Sequence, residues 1–161
     1  ASLLAAERAA EVLAGVHLGE DGRLARASLG GTASSAPGIL EDYAAVALGF
    51  LRLGGVWTDR AGGLLEQVRE HFTDGMGGFH DTAADAEALV PRPADVHDGP
   101  TASGWALAAS ALLAAFEATG EETYKDDAWR AIARAEPAMS ANPRFTSGLH
   151  SAAETLVRVQ R

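Results

Sequence analysis

The stretch that decides the fold reads GGFHDTAADAEALVPRPADVHDGPTASGW over residues 77–105. It is the longest segment without helical periodicity, and Ala- and Leu-rich amphipathic runs precede and follow it. Long irregular connections inside compact domains are usually functional or disordered. Because this one holds aromatic rings, turn glycines and three prolines, we expect it to be ordered and to carry the site.

The runs on either side of this loop repeat apolar residues at three- and four-residue steps, which predicts amphipathic helices. We expect six helices, at about residues 3–18, 38–53, 58–72, 101–119, 123–135 and 147–160. Thr58 is the expected N-cap of the third helix, and Pro137 is expected to end or kink the fifth. Residues 23–29 alternate weakly and are a candidate extended piece, whereas residues 30–38 have the composition of a loop.

Short turns containing glycine separate helices two and three and helices four and five. Because the six helices alternate between irregular connections and short turns, the sequence predicts an all-α fold of three α-hairpins. Repeated helical hairpins are typical of α-solenoids and α/α toroids, and the lack of an exact sequence repeat favours the toroid.

Composition narrows the classes of function. The chain has 161 residues, 13 Lys and Arg against 22 Asp and Glu, and a net charge of −9. That charge disfavours binding to nucleic acid or to anionic membranes. Without cysteine there is no disulfide, thiolate metal site or cysteine nucleophile. With no membrane-spanning apolar run and no signal peptide, we expect one domain over residues 1–161, in the cytoplasm.

Three carboxylates are candidates for acid/base catalysis: Glu41, Asp42 and Asp98. Glu41 and Asp42 occupy the first turn of helix two, beside Tyr43, and adjacent helical residues point about 100° apart, so only one of them faces a given site. The alternative for this pair is capping and compensation of the helix dipole. The alternative for Asp98 is an N-cap of helix four.

The remaining candidates would bind a ligand. Arg92 lies between two prolines and suits anchoring of a carboxylate or hydroxyl pair, with a salt bridge to Asp81 or Asp85 as the alternative. His80 and His97 can transfer protons near neutral pH, although solvent-exposed histidines without a role are the alternative. Phe79 and Trp105 are candidates to stack on a sugar ring, with core packing as the alternative. Tyr43 and Ser103 complete the set, and we expect no metal and no cofactor.

A series of short motifs, in order and spacing, resembles one protein family. They are ILEDYA at 39–44, GGF at 77–79 with Asp81-Thr82, LVPRP at 89–93, Asp98-Gly99, Ser103-Gly104 and Thr119-Gly120. The chain is similar to the C-terminal half of proteins that join a thioredoxin-like domain to a six-hairpin (α/α)6 barrel. That family includes the spermatogenesis-associated thioredoxin-like proteins and their bacterial relatives. Its barrel resembles those of N-acylglucosamine 2-epimerases, which use histidines, and of several glycosidases.

The resemblance implies a six-hairpin glycosidase-like fold and a carbohydrate-active or carbohydrate-binding function. One departure is Trp105, which stands where the family has Asn and so replaces an amide with a ring carrying a single donor. Three hairpins make about half of such a barrel, so we expect a fragment that lacks an N-terminal barrel half, a reduced paralogue, or a chain that forms a homodimer. The alternative function is a non-catalytic module that binds a protein or peptide.

Overall fold

The computed structural model describes residues 2–86 and 91–160. Most of these residues are helical, and the helices and strands follow in this order: α1 (Ser2–Val12), which continues as a π-helical turn (Leu13–His17); β1 (Ser28–Leu29); β2 (Thr32–Ala33); α2 (Leu40–Leu53); α3 (Val56–Phe72); α4 (Gly104–Thr119); α5 (Glu122–Ala141); a 3-10 turn (Pro143–Phe145); and α6 (Ser147–Val159). The predicted all-α class and its six helices are confirmed.

Three predicted helix boundaries are wrong. Helix α3 begins at Val56, two residues before the predicted cap Thr58, and Gly55 occupies the N-cap position. Helix α4 begins at Gly104, because the Oγ of Ser103 accepts a hydrogen bond from the backbone N–H of Ala106 and caps it. Helix α5 continues through Pro137 to Ala141.

The predicted extended piece and loop form a small antiparallel hairpin. Ser28 pairs with Ala33, and Leu29 pairs with Thr32. The positive φ angles of Gly30 and Gly31 supply the left-handed backbone that the turn between these strands requires. The strand is thus limited to the end of the segment predicted as extended, and its partner lies in the segment predicted as loop.

Helices α2, α3, α5 and α6 pack around α4. Helix α4 lies between α2 and α6, while α3 packs on α2 and α4 and α5 packs on α4 and α6. Helix α4 is buried over most of its length, and its many alanines allow neighbouring backbones to approach closely. The two-residue links at Gly54-Gly55 and Gly120-Glu121 make α2/α3 and α4/α5 α-hairpins.

The first turns of α2, α4 and α6 lie together at one end of the molecule. A β-carbon at Gly104 would lie 3.0 Å from the backbone nitrogen of Glu41. A β-carbon at Gly148 would lie 2.8 Å from Cβ of Ala106. These close approaches mean that three positive helix ends converge where the loop of residues 77–105 returns to the helices.

None of the helices within residues 2–86 and 91–160 has the length and apolar character needed to cross a membrane.

Candidate functional site

An open cleft of about 290 Å³ lies between the starts of α2 and α4 and the loop that precedes α4. Its titratable groups are three carboxylates and one imidazole, contributed by Glu41, Asp81, Asp95 and His97. Its other walls are mostly backbone and small side chains: Ile39, Gly99, Thr101, Ala102, Ser103 and Gly104. The cleft is therefore acidic and rich in hydrogen-bonding groups, and these lining residues include no Phe, Tyr or Trp.

Backbone hydrogen bonds place the loop beside α2. The N–H of Leu40 donates to the carbonyl of Asp81 at 2.9 Å, and the N–H of Asp81 donates to the carbonyl of Pro93 at 2.8 Å. The N–H of Asp95 then donates to a carboxylate oxygen of Asp81 at 3.1 Å. Two parts of the loop and the first turn of α2 are thus held together at the cleft.

Arg92 holds this loop in place by binding backbone carbonyls. Its Nε donates to the carbonyl of Thr82 at 3.1 Å, and its Nη2 donates to the carbonyl of His71 at 2.8 Å. Asp85, one of its two predicted ion-pair partners, instead binds Arg23 through both carboxylate oxygens, at 2.9 and 3.1 Å. Arg92 therefore fixes backbone geometry, and it is not among the residues that line the cleft.

The carboxylates of the cleft differ in acidity. Burial raises the pKa of Asp81, and the negative charges of Asp95 and Glu41 act in the same direction, outweighing the hydrogen bond from the N–H of Asp95. The pKa of Asp95 is lowered, chiefly by the hydrogen bond from the N–H of His97 and also by the His97 ring. Of these two carboxylates, Asp81 is therefore the one whose protonated form the cleft favours.

Glu41 reaches the same cleft from the first turn of α2. One of its carboxylate oxygens accepts a hydrogen bond from the hydroxyl of Thr101 at 3.2 Å. The neighbouring residue Asp42 accepts from the N–H of Ile39 at 2.9 Å and so caps α2. The structure thus divides the predicted pair, with Glu41 in the cleft and Asp42 in the capping position.

Asp98 joins the starts of two helices. Its carboxylate accepts hydrogen bonds from the N–H of Ser103 at 2.9 Å, from the N–H of Gly148 at 2.8 Å and from the hydroxyl of Ser147 at 3.0 Å. Burial opposes ionisation of Asp98, but these hydrogen bonds outweigh it and lower its pKa. Asp98 was the alternative N-cap of α4, but Ser103 occupies that position. The backbone of Ser103 is in turn held by Asp98.

Three predicted ligand-binding rings lie in the core. Tyr43 is buried, and its hydroxyl accepts a hydrogen bond from the N–H of Leu24 at 2.8 Å. Phe79 and Trp105 are buried against each other in an edge-to-face pair with centroids 5.9 Å apart. The Nε1–H of Trp105 donates to the carbonyl of Ala131 at 3.1 Å, which ties α4 to α5.

The two predicted histidines occupy different surroundings. The Nδ1 of His97 lies 2.9 Å from a carboxylate oxygen of Asp95, and the ring is partly exposed at the cleft. The backbone N–H of His80 donates to the carbonyl of Phe72 at 2.7 Å. Its buried Nδ1 has no hydrogen-bond partner among the residues that the structure describes.

Sequence reasoning missed Asp81, Asp95 and Thr101 as members of the site. All three belong to the loop that we expected to carry it, but nothing in their spacing places them opposite Glu41. Three tertiary hydrogen bonds supply that placement: from the N–H of Leu40 to the carbonyl of Asp81, from the N–H of Asp95 to the carboxylate of Asp81, and from Thr101 to Glu41. Residues 87–90 of the same loop, including the predicted motif residues Leu89 and Val90, lie outside the described part of the chain.

Over the two described ranges, no three His, Asp or Glu side chains are arranged to hold a metal ion. The chain matches no protein-family model, and it shows no significant similarity to a curated protein.

Proposed function

We propose that the acidic cleft binds a neutral carbohydrate and that Asp81 and Glu41 are its acid/base pair. Ionised carboxylates accept hydrogen bonds from sugar hydroxyls, and a protonated carboxyl group can donate one. An uncharged polyol avoids the repulsion that an anionic ligand would meet among Glu41, Asp81 and Asp95. The side chains of Thr101 and His97 provide further polar contacts at the rim.

The single observation that carries this proposal is the meeting of the carboxylates of Glu41, Asp81 and Asp95 in one open cleft, where burial raises the pKa of Asp81. A carboxylic acid with a raised pKa holds its proton to higher pH and can donate it to a leaving group, and Glu41 is a second carboxylate at the same cleft. This is the arrangement that glycoside cleavage uses, and the separation of the two groups then sets the stereochemical outcome.

The resemblance to the thioredoxin-linked six-hairpin family supports the same proposal. In that proposal α2, α4 and α6 are inner helices of an α/α toroid and α3 and α5 are outer helices, which fits the packing of α2 and α6 on α4, of α3 on α2 and of α5 on α4. In α/α toroids the sites form at one end of the inner helices, and we extend this to the present chain by architectural analogy. The convergence of the first turns of α2, α4 and α6 beside the acidic cleft fits that analogy.

The experiment is a titration of ¹⁵N-labelled protein with glucose, mannose and N-acetylglucosamine, followed by amide chemical shifts. We expect shifts confined to the cleft, including Thr101 and Gly104. Glu41→Ala should weaken binding about fivefold or more, because a charged hydrogen-bond acceptor is lost. Glu154→Ala, which truncates an exposed glutamate on α6, is the matched control and should leave the affinity unchanged.

Catalysis is tested separately with 4-nitrophenyl glycosides of the same sugars. Turnover that disappears in Asp81→Asn and persists in Glu154→Ala would support the acid/base assignment. Binding without turnover would leave a carbohydrate-binding site and refute catalysis. If all three sugars produce no shifts, or if Glu41→Ala and Glu154→Ala behave alike, the carbohydrate proposal is wrong.

A second candidate is a non-catalytic interaction module that pairs with another copy of this chain. The observation that favours it is an apolar groove of about 690 Å³ between α1 and α2, beside the exposed side chains of Leu3 and Leu4. Val157 on α6 is also half exposed. Light scattering on a size-exclusion column tests it: a mass of twice 16.6 kDa supports pairing, and a monomer at high concentration excludes it.

A further inference from the structure

A third cavity, larger than the acidic cleft, lies between α3 and α5 and shares no lining residue with that cleft. Its volume is about 640 Å³, within the range of roughly 300–1,000 Å³ that small-molecule sites occupy. Val68, Phe79 and Leu112 form an apolar floor, and all three side chains belong to the buried core. The turn that follows α3 closes one side and brings the exposed side chain of Met76 to the mouth.

The polar wall of this cavity is formed by Arg69, Asp127 and Arg130. One carboxylate oxygen of Asp127 accepts from Nε of Arg69 at 2.8 Å, and the other accepts from Nη1 of Arg130 at 3.0 Å. Arg69 also donates to Glu66 and Thr123, so all three of its nitrogens are engaged. A single carboxylate thus lies between two guanidinium groups.

Arg130 has hydrogen-bonding capacity that the protein does not use. Its side chain is 57% exposed, and Asp127 is its only partner within residues 2–86 and 91–160. A guanidinium group carries five N–H donors in a planar fork, which matches the two oxygens of a carboxylate. The remaining donors of Arg130 are therefore available to a ligand.

The neighbouring carboxylate of Asp74 does not compensate Arg130. Its Oδ1 accepts hydrogen bonds from the N–H groups of Met76 and Gly78, at 2.7 and 2.8 Å, and its Oδ2 lies 3.7 Å from Nε of Arg134. The turn packs directly on α5, because a β-carbon at Gly77 would lie 2.9 Å from Cβ of Arg130. The apolar floor and the available guanidinium group therefore meet in one cavity.

We propose that this cavity binds a small monocarboxylate with an apolar body, such as an arylalkanoate or a medium-chain fatty acid. The ligand's carboxylate pairs with Arg130, and its apolar body packs against the exposed side chain of Met76, above the core residues Val68, Phe79 and Leu112. Met76 lies over the body at the mouth, where its flexible thioether side chain can adapt to the ligand's shape. This site shares no lining residue with the acidic cleft, so it does not depend on the proposed carbohydrate function.

The test is an amide chemical-shift titration with phenylacetate and with octanoate, compared with the neutral isostere phenylacetamide. We expect shifts at Met76, Gly77 and Arg130, and an affinity for phenylacetamide about tenfold weaker than for phenylacetate, because a charge-assisted hydrogen bond is lost. Arg130→Gln should weaken phenylacetate binding by about the same factor. Arg144→Gln, at an exposed arginine outside the cavity, is the matched control.

Met76→Ser provides a second variant at an exposed position, where misfolding is not expected. It should weaken octanoate binding by removing apolar contact while leaving Arg130 in place. Equal affinities for phenylacetate and phenylacetamide, no effect of Arg130→Gln, or no binding of either carboxylate would each overturn the proposal.

Discussion

Asp98 and Gly148 are separated by 50 residues in the chain, yet a carboxylate oxygen of Asp98 accepts a hydrogen bond from the N–H of Gly148 at 2.8 Å. The other carboxylate oxygen accepts from the N–H of Ser103, the N-cap of α4. One side chain therefore binds the starts of both α4 and α6, where the unpaired N–H groups and the positive ends of the helix dipoles lie. This contact fixes the end of the molecule at which the acidic cleft opens.

We expect Asp98→Asn to lower the free energy of unfolding by about 1–3 kcal/mol at pH 7, because it removes the charge that two helix starts share. Urea denaturation followed by circular dichroism measures the change. Asp126→Asn is the control, since Asp126 is exposed on α5, and it should change stability by less than about 0.5 kcal/mol. Equal effects of the two substitutions would show that the contacts of Asp98 contribute little.

The stabilisation by Asp98 should disappear in acid. Because the pKa of Asp98 is lower in the folded protein than in the unfolded chain, its contribution is complete above the unfolded pKa. This contribution is lost as the pH falls through the pKa that Asp98 has in the folded protein, because the carboxylate is then protonated in both the folded and the unfolded state. The difference between wild type and Asp98→Asn should therefore shrink between pH 7 and pH 3 in urea titrations, and a constant difference would contradict this account.

Asp81 should show the opposite dependence. Burial raises its pKa in the folded protein, so the folded state holds the proton more tightly than the unfolded chain does. Asp81 therefore favours folding at pH values below the pKa that it has in the unfolded chain. This contribution is lost as the pH rises through the pKa of Asp81 in the folded protein. We expect Asp81→Asn to be more stable than wild type at pH 7 and to lose that advantage below about pH 4, the usual pKa of an aspartate.

The Asp81→Asn measurement uses the same urea titrations, and Asp126→Asn serves again as the charge-matched control. The amide oxygen of the introduced asparagine can still accept the hydrogen bond that the N–H of Asp95 donates to Asp81. A loss of stability at pH 7 in Asp81→Asn would mean that the ionised carboxylate is favourable in the fold, against its raised pKa.

Two tryptophans provide a direct comparison of core and surface. Trp105 is 5% exposed and donates to the carbonyl of Ala131, whereas Trp129 on α5 is 53% exposed. We expect Trp105→Ala to lower the free energy of unfolding by about 3–5 kcal/mol, through the cavity and the lost hydrogen bond. Trp129→Ala should cost less than about 1 kcal/mol in the same thermal melts. Similar losses would mean that Trp129 is also part of the stabilising core.

Gly78 tests the packing of the turn against Trp105. A β-carbon at this position would lie 2.5 Å from Cη2 of Trp105 and 2.6 Å from Oδ2 of Asp74. Gly78→Ala should destabilise the protein by about 1–3 kcal/mol through this overlap. Gly63→Ala in α3 meets no atom within 4 Å and should stabilise by up to about 1 kcal/mol, because alanine is the better helix former. Thermal melts of both variants measure whether each substitution raises or lowers the stability. An unchanged stability in Gly78→Ala would show that the turn can move away from Trp105.

The acidic cleft could be predicted only in part from the sequence. Its location in the loop of residues 77–105 follows from the absence of helical periodicity there, and Glu41 and His97 were among the candidate residues. The membership of Asp81 and Asp95 could not be predicted, because it depends on hydrogen bonds between parts of the loop that are distant in sequence. The same applies to Phe79 and Trp105, since an aromatic residue beside a loop can face either the core or a ligand.

The sequence by itself determined the helical class, the positions of the helices and the acidic surface, because periodicity and charge are local properties of the chain. Tertiary structure decided how far α5 extends. The missing N–H of Pro137 predicts an end or a kink there, and the end is wrong, because Met139 lies beyond Pro137, is buried in the core and extends the apolar face of Ala135. Burial of Met139 offsets the loss of one backbone hydrogen bond, and such burial exists only once the other helices are in place.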